Sequence, residues 1–277
     1  MKNQLLLLRN ALLLLLPGIA TAPLHAQNSK VIYNHAAFWS KTEVNEIFGE
    51  TAMAPAAGYE AEVILYDPAH TSAADMAPLS VYPPGIWVEV SSPVFEKIAY
   101  RAGVPNVVAV MRAKSLSLER IALPEYPLVL VLESVEKPGN LGAILRTADA
   151  AGADAVVLCD PLTDWYNPNV IRASLGAVFT VPVAAAPAPD VLAWLRQHRL
   201  RIAATHLEAS HPHYETDFSK GVAIIMGSES EGISDFWVRD ADERIIIHMQ
   251  GRVDSLNVSA STAVLLFEAR RQRDAMQ

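Results

Sequence analysis

Residues 128–133, Leu-Val-Leu-Val-Leu-Glu, constrain the fold more than any other stretch. A run without polar alternation does not suit a strand wetted on one face. It fits a parallel strand covered on both sides. Parallel strands need a crossover connection, and the chain provides one. The turn SVEKPGN leads into the helical pattern LGAILRTADAAGA, and a second apolar strand, DAVVLCD, follows. The same grammar continues. NPNVIRASLGAVFTVPV reads as a helix and a short strand, VLAWLRQHR as a helix and LRIAATHL as a strand. KGVAIIMG reads as a strand ending at glycine, ESEGIS as a loop, and RIIIHM as a last strand before a closing helix. This alternation predicts an α/β fold with an open parallel sheet and helices on both faces.

The chain has 277 residues, 51% of them hydrophobic, enough for two domains with a sizeable core. Residues 30–121 read as a small α/β unit. Its elements are a helix AAFWSKTEVNEIFG, a strand AEVILYD, a loop over 68–85, a strand IWVEV, a helix SSPVFEKIAYRAG and a strand NVVAVMRA. Ser92 before Pro93 reads as an N-cap followed by a first-turn proline. Residues 122–127, ALPEYP, read as a linker, and 128–277 as the second domain. Residues 1–29 form an apolar leader resembling a secretory signal peptide, with Lys2, leucine runs and small residues near Ala22 and Ala26. Arg9 and Asn10 interrupt it. The longest unbroken run, Ala11–Leu16, is far short of the roughly 20 residues that span a bilayer. A buried amphipathic helix or an unused start site are the alternatives. The single cysteine, Cys159, excludes an intrachain disulfide and reads as a small buried hydrophobe. A net charge of −8 argues against coating nucleic acid through many phosphate contacts, while leaving room for a local basic site.

In open parallel sheets, ligands sit at the carboxyl ends of the strands. Three polar stretches fall there. In EKPGNLGAILRTADAAG, Asn140 stands at a helix start, where its plain role is an N-cap. Arg146 lies in the same helix, either on a solvated face or as an interior cation. In MGSESEG, Gly227 lets a ligand approach the backbone, and Glu229 and Glu231 bring acid to a strand end. A polar turn is the alternative. In GRVDSLNVSASTAVLLFEARRQR, Ser255-Leu256-Asn257 runs into a helix whose first turn holds Ser259, Ala260, Ser261 and Thr262. A helix start with free N–H groups and small side chains suits an anion or a polar ligand. An ordinary capped amphipathic helix is the alternative, its basic last turn complementing the helix dipole.

These three stretches resemble, in order, spacing and context, the motifs of the SpoU (TrmH-like) family of RNA 2′-O-ribose methyltransferases, over about residues 128–273. The preceding unit resembles the L30e-like RNA-binding domain found in many members. The resemblance implies a trefoil-knotted parallel-sheet SPOUT domain, S-adenosyl-L-methionine held in the knot, and a homodimer. Carried over by position, Asn140, Arg146, Glu229, Ser255 and Asn257 match catalytic and substrate positions. Gly227, Ile247 and Leu256 match the positions that hold the cofactor, and Thr205 stands where the first cofactor loop belongs. The implied activity is methyl transfer to a ribose 2′-hydroxyl of structured RNA. Ribosomal RNA is favoured over transfer RNA by the extra N-terminal unit, and neither DNA nor a metal is implied. A non-catalytic knotted paralogue that binds RNA or cofactor is the alternative, and the intact Asn140, Arg146, Ser255 and Asn257 set argues against it. An exported α/β protein is suggested only by the leader. Because donor and RNA are cytosolic, the reading is cytoplasmic. The family gives Arg146 the role of base. A guanidinium stays charged at neutral pH, so binding a phosphate or a developing alkoxide suits it better. His248 stands where the family usually has proline and reads as structural. Arg252, Arg270, Arg271 and Arg273 are the local basic material facing RNA.

Overall fold

The computed structural model describes residues 31–35, 53–98, 107–209 and 211–276. The leader and the helix expected over 36–49 lie outside the described residues. Contacts divide the chain into two units. Among the described residues, one holds those up to Lys114 together with Tyr166–Thr180, and the other holds Ser115–Trp165 and those from Val181 onward.

The smaller unit is a four-stranded sheet of β1 (Val31–His35), β2 (Ala61–Tyr66), β3 (Trp87–Glu89) and β4 (Val107–Arg112), in the order β1-β4-β2-β3. β4 runs antiparallel to β1 and β2, and β2 is parallel to β3. Alternate residues of β2 and β4, Val63 and Leu65 with Val108 and Val110, form its core with Val88, Val90 and Phe95. The expected loop over 68–85 is more ordered than the sequence suggested. It contains α1 (Ala73–Met76), closed by a capping box in which Asp75 N–H donates to Ser72 Oγ and Ser72 N–H to Asp75 Oδ2. α2 (Ser92–Ile98) starts one residue earlier than expected. The Val94 and Phe95 N–H groups bond the Ser91 carbonyl, so Ser92 is already helical. The expected helix in NPNVIRASLGAVF is two short helices, Pro168–Ser174 and Ala177–Thr180. They break where Leu175 (φ 50°) and Gly176 (φ 89°) turn left-handed.

The larger unit is built on β5 (Leu128–Glu133), every residue of which is buried. Its sheet contains β6 (Ala155–Cys159), β7 (Val183–Ala186), β8 (Arg201–Thr205), β9 (His211–Pro212), β10 (Val222–Met226) and β11 (Glu243–Ile246). The order is β7-β6-β5-β10-β8-β11-β9, with every pair parallel. α3 (Pro138–Ala151), α4 (Ala188–Gln197), α5 (Asp235–Asp240) and α6 (Val258–Asp274) cover it. On one face α4 and α5 pack Val191, Trp194, Leu195 and Trp237 onto Val129, Val131, Val157, Ile202 and Ile225. The intervening β5 residues, Leu128, Leu130 and Leu132, are equally buried and point the other way. α3 and α6 pack against each other, and Thr262 Oγ1 on α6 donates to Met226 Sδ at 3.0 Å, at the end of β10.

The expected linker at 122–127 is not where the units divide. Leu118 and Ile121 are buried in the larger unit's core, and Ala185 N–H donates to Leu116 O at 2.7 Å beside β7. Apolar side chains just before ALPEYP thus carry the boundary back to Lys114. α5 and β9 were not anticipated.

From β5 the chain winds outward through β6 and β7, then crosses to β8, leaving the place between them for β10. The strand order reverses there. In open α/β sheets such a reversal leaves a crevice beyond the carboxyl ends of the strands.

Candidate active site

A cavity of about 450 Å³ occupies that crevice. The ends of β8, β10 and β11 and the segment before α6 wall it. Met226, Ile233, Ile245, Val258 and Leu265 form its apolar floor, and Glu208, Glu231 and Asp254 bring carboxylates to its walls. Thr205, Gly227, Ile247 and Leu256 all line it, as do Glu229 and Ser255. Thr205 Oγ1 donates to Ile225 O at 3.0 Å and so ties β8 to β10. Gly227 is sterically required. A Cβ there would lie 1.9 Å from the carbonyl carbon and oxygen of Gly232 and 2.3 Å from Ile233 N. The loop folds back through a Ser228–Gly232 bridge, with N–H to O distances of 3.1 and 3.0 Å, and Gly232 takes φ +68°.

At the cavity's edge Glu229 gathers two helix starts. Asn140 Nδ2 donates to its Oε1 at 3.1 Å, and Asn257 Nδ2 donates to the same oxygen. Asn257 Nδ2 also reaches Asn140 Oδ1 at 3.2 Å. Lys137 Nζ binds Oε2 and forms an ion pair with it. The Lys137 bond holds the Glu229 carboxyl below the usual carboxylate range, with the Asn140 amide and the Val258 N–H adding to the effect. Asn257 is the N-cap of α6, its Oδ1 accepting the Ser259 N–H at 3.0 Å. Asn140 is not a cap. α3 is preceded by Lys137 in that position, with Pro138 next, and Asn140 is the third helical residue. Its amide is therefore free to face Glu229.

Arg146 is solvent-exposed and does not line the cavity. Of its two readings the solvated face is correct. Ser255 is exposed at the rim. His248 is exposed too, and its neighbours Ile247 and Met249 line the cavity instead. Cys159 is fully buried, and desolvation pushes its thiol up to about 12, as a buried hydrophobe requires. The basic last turn of α6 is not free for RNA. Arg270 donates to Ala151 O (2.8 Å) and Gly152 O (2.9 Å) at the end of α3, and Arg271 forks onto Glu268. Arg273 donates to the carbonyls of Phe218, Tyr126, Pro127 and Lys220. Arg252 remains exposed.

Two residues escaped the sequence reading. Glu133, at the buried end of β5, accepts from Ser234 N–H and Oγ, both at 2.7 Å, and anchors the loop that carries Glu229. A carboxylate ending an otherwise apolar strand was the available signal. Lys137 was the other, and its signal was a cation at the positive end of a helix.

The sequence profile of the SpoU rRNA Methylase family matches residues 127–267. A 23S rRNA (uridine(2479)-2'-O)-methyltransferase from Streptomyces viridochromogenes is 32% identical over 175 residues, 61% of this chain and 61% of that one. The alignment thus spans about three fifths of that relative's length. The 23S rRNA (guanosine-2'-O-)-methyltransferase RlmB of Ralstonia nicotianae is 39% identical over 176 residues, 62% of this chain and 71% of that one. The crystal structure of an AdoMet-bound rRNA methyltransferase from Sinorhizobium meliloti superposes with a TM-score of 0.74 at 31% identity, over 87% of each chain. A fold, a cavity and three converging motifs of this kind place the chain in the SpoU rRNA methylase family.

Proposed function

We propose that this chain transfers a methyl group from S-adenosyl-L-methionine to a ribose 2′-hydroxyl of structured RNA, with ribosomal RNA as the substrate class. The observation that carries the reading is the convergence of Asn140 and Asn257, from two different helix starts, on one carboxylate at the edge of the 450 Å³ cavity. The relatives named above act on 23S rRNA.

The cavity fits the donor. Its apolar floor suits a flat heterocycle, and its acidic walls suit a molecule carrying a sulfonium and an ammonium. The glycine at 227 is required by the loop's own backbone at Gly232, and that fold-back shapes this wall of the cavity. Thr205, Gly227, Ile247 and Leu256 would hold it. The donor supplies an electrophilic methyl group. Glu229 fixes both asparagine amides, which orient the ribose, and Ser255 adds a hydroxyl at the rim. Arg146, exposed and with no side-chain hydrogen bond or ion pair among the described residues, is available to a phosphate and to the developing alkoxide, whose proton passes to solvent water.

The reading extends to a trefoil knot, supported by the insertion of β10 between β5 and β8, and to an L30e-like role for the smaller unit, supported by its mixed α/β sheet. It also extends to a homodimer, supported by exposed Val253, Leu256 and Phe267. The cytoplasm is the compartment where donor and RNA coincide. Calorimetry should show donor uptake by the full chain. Labelled methyl should appear in RNA from a strain lacking the gene, at one mappable 2′-O-methyl site. No uptake and no label would retire the proposal.

A further inference from the structure

We infer that Lys137 is a positioning residue for this reaction. Its ammonium locks the Glu229 carboxylate in the orientation that presents Asn140 and Asn257 to the ribose. The inference rests on the methyl-transfer reading for its catalytic meaning, and on the observed geometry for the rest.

The argument starts from a local misfit. Lys137 is the residue that precedes α3, extended at φ −78° and ψ 117°, and its side chain makes no capping bond. Serine, threonine, aspartate or asparagine is the favoured choice there. A cation beside the positive end of a helix is also unfavourable. Local rules are broken where another interaction compensates, commonly at a functional site. The ammonium here turns across to Glu229 and takes Oε2. Oε1 is already engaged by both asparagine amides. The carboxylate thus has its two oxygens engaged on different sides, and a partial turn about its last bond would break both sets of contacts. Lys137 opposes that rotation.

A second tie shows why the lock is needed. The loop from Gly227 to Ser234 is held at its far end by Glu133, which accepts twice from Ser234. Its near end is fixed by the close approach of Gly227 to Gly232. Glu229 lies between these anchors and is solvent-accessible. Beside the Val258 N–H, Lys137 is the side chain that fixes it from outside the amide pair. Lys137 itself is largely exposed, its side chain 69% accessible, so the pair contributes little to overall stability. Its consequence is local order and the charge state of Glu229.

The test uses the full chain, with labelled S-adenosyl-L-methionine and 23S rRNA from a strain lacking the gene as probes. Wild type, K137M and K137R are compared from about pH 3 to 8, a window that spans the usual carboxylate range. In parallel, carboxyl ¹³C NMR follows Glu229, assigned with E229Q. K137M should lose on the order of tenfold in kcat at neutral pH, below the roughly hundredfold that a 1 Å misplacement costs. Its KM for RNA should stay unchanged. The sign of the pH effect is fixed. Lys137 holds the Glu229 carboxyl down, so without it the carboxyl titrates at higher pH and the acid limb of activity moves up. K137R should restore both. A raised KM with unchanged kcat, and an unmoved Glu229 titration, would make Lys137 an RNA contact and overturn the inference. If wild type transfers no label but Glu229 titrates higher in K137M, the methyltransferase reading fails while the lock on Glu229 stands.

Discussion

The two helix starts that meet at Glu229 are built in opposite ways. α6 begins with an asparagine that caps it, so one side chain serves both fold and site. α3 begins with a lysine that caps nothing, and its asparagine sits inside the first turn with no structural duty. At α6, removing the site residue also removes the cap. At α3, site and scaffold are separable. A motif asparagine can therefore look equally important in two sequences of equal chemistry and still differ in what its loss would do.

Five substitutions probe this contrast. Gly227→Ala removes what both helix starts depend on, the position of the loop between them. The added Cβ meets backbone at 1.9 Å, and overpacking of even flexible neighbours costs about 1–3 kcal/mol. Calorimetry should find no donor uptake. Glu229→Gln keeps the loop but replaces the carboxylate both amides share. Single-turnover methylation should slow by about a hundredfold with the thermal midpoint little changed. Equal rates would deny Glu229 its role. Asn257→Ala and Asn140→Ala should slow turnover alike, yet only the first should lower stability, by about 1 kcal/mol in urea unfolding. Equal destabilisation would dissolve the contrast. Gly139→Ala has open space around its Cβ and lies in the first turn of α3. It should gain about 0.5 kcal/mol and leave the rate alone.

How much of this the sequence disclosed depended on whether a residue's partner was near in the chain. β5, β6, β8 and β10 were legible because burial on both faces leaves an unbroken apolar run. The short helix after Ser72 was legible in principle from its serine–aspartate spacing, but four residues gave no periodicity to notice. The place of Asn140 was misjudged because proline at the first helical position moves the cap back to a lysine that does not look like one. The arginines of α6 looked like a nucleic-acid surface because composition records charge and not partners. Arg270 and Arg273 instead complete carbonyls at the end of α3 and beside the starts of β5 and β10. The role of Glu133 lies in a bond across 101 positions, which no local pattern announces.

The position of β10 in the sheet has a consequence for how the protein matures. During synthesis β5 and β8 leave the ribosome before β10, the neighbour they share, exists. The early strands must wait with two edges unzipped, and the pairing that closes them joins segments distant in the chain, a slow kind of step. Ligand uptake should therefore be the last property a refolding sample regains, well after its circular dichroism has recovered.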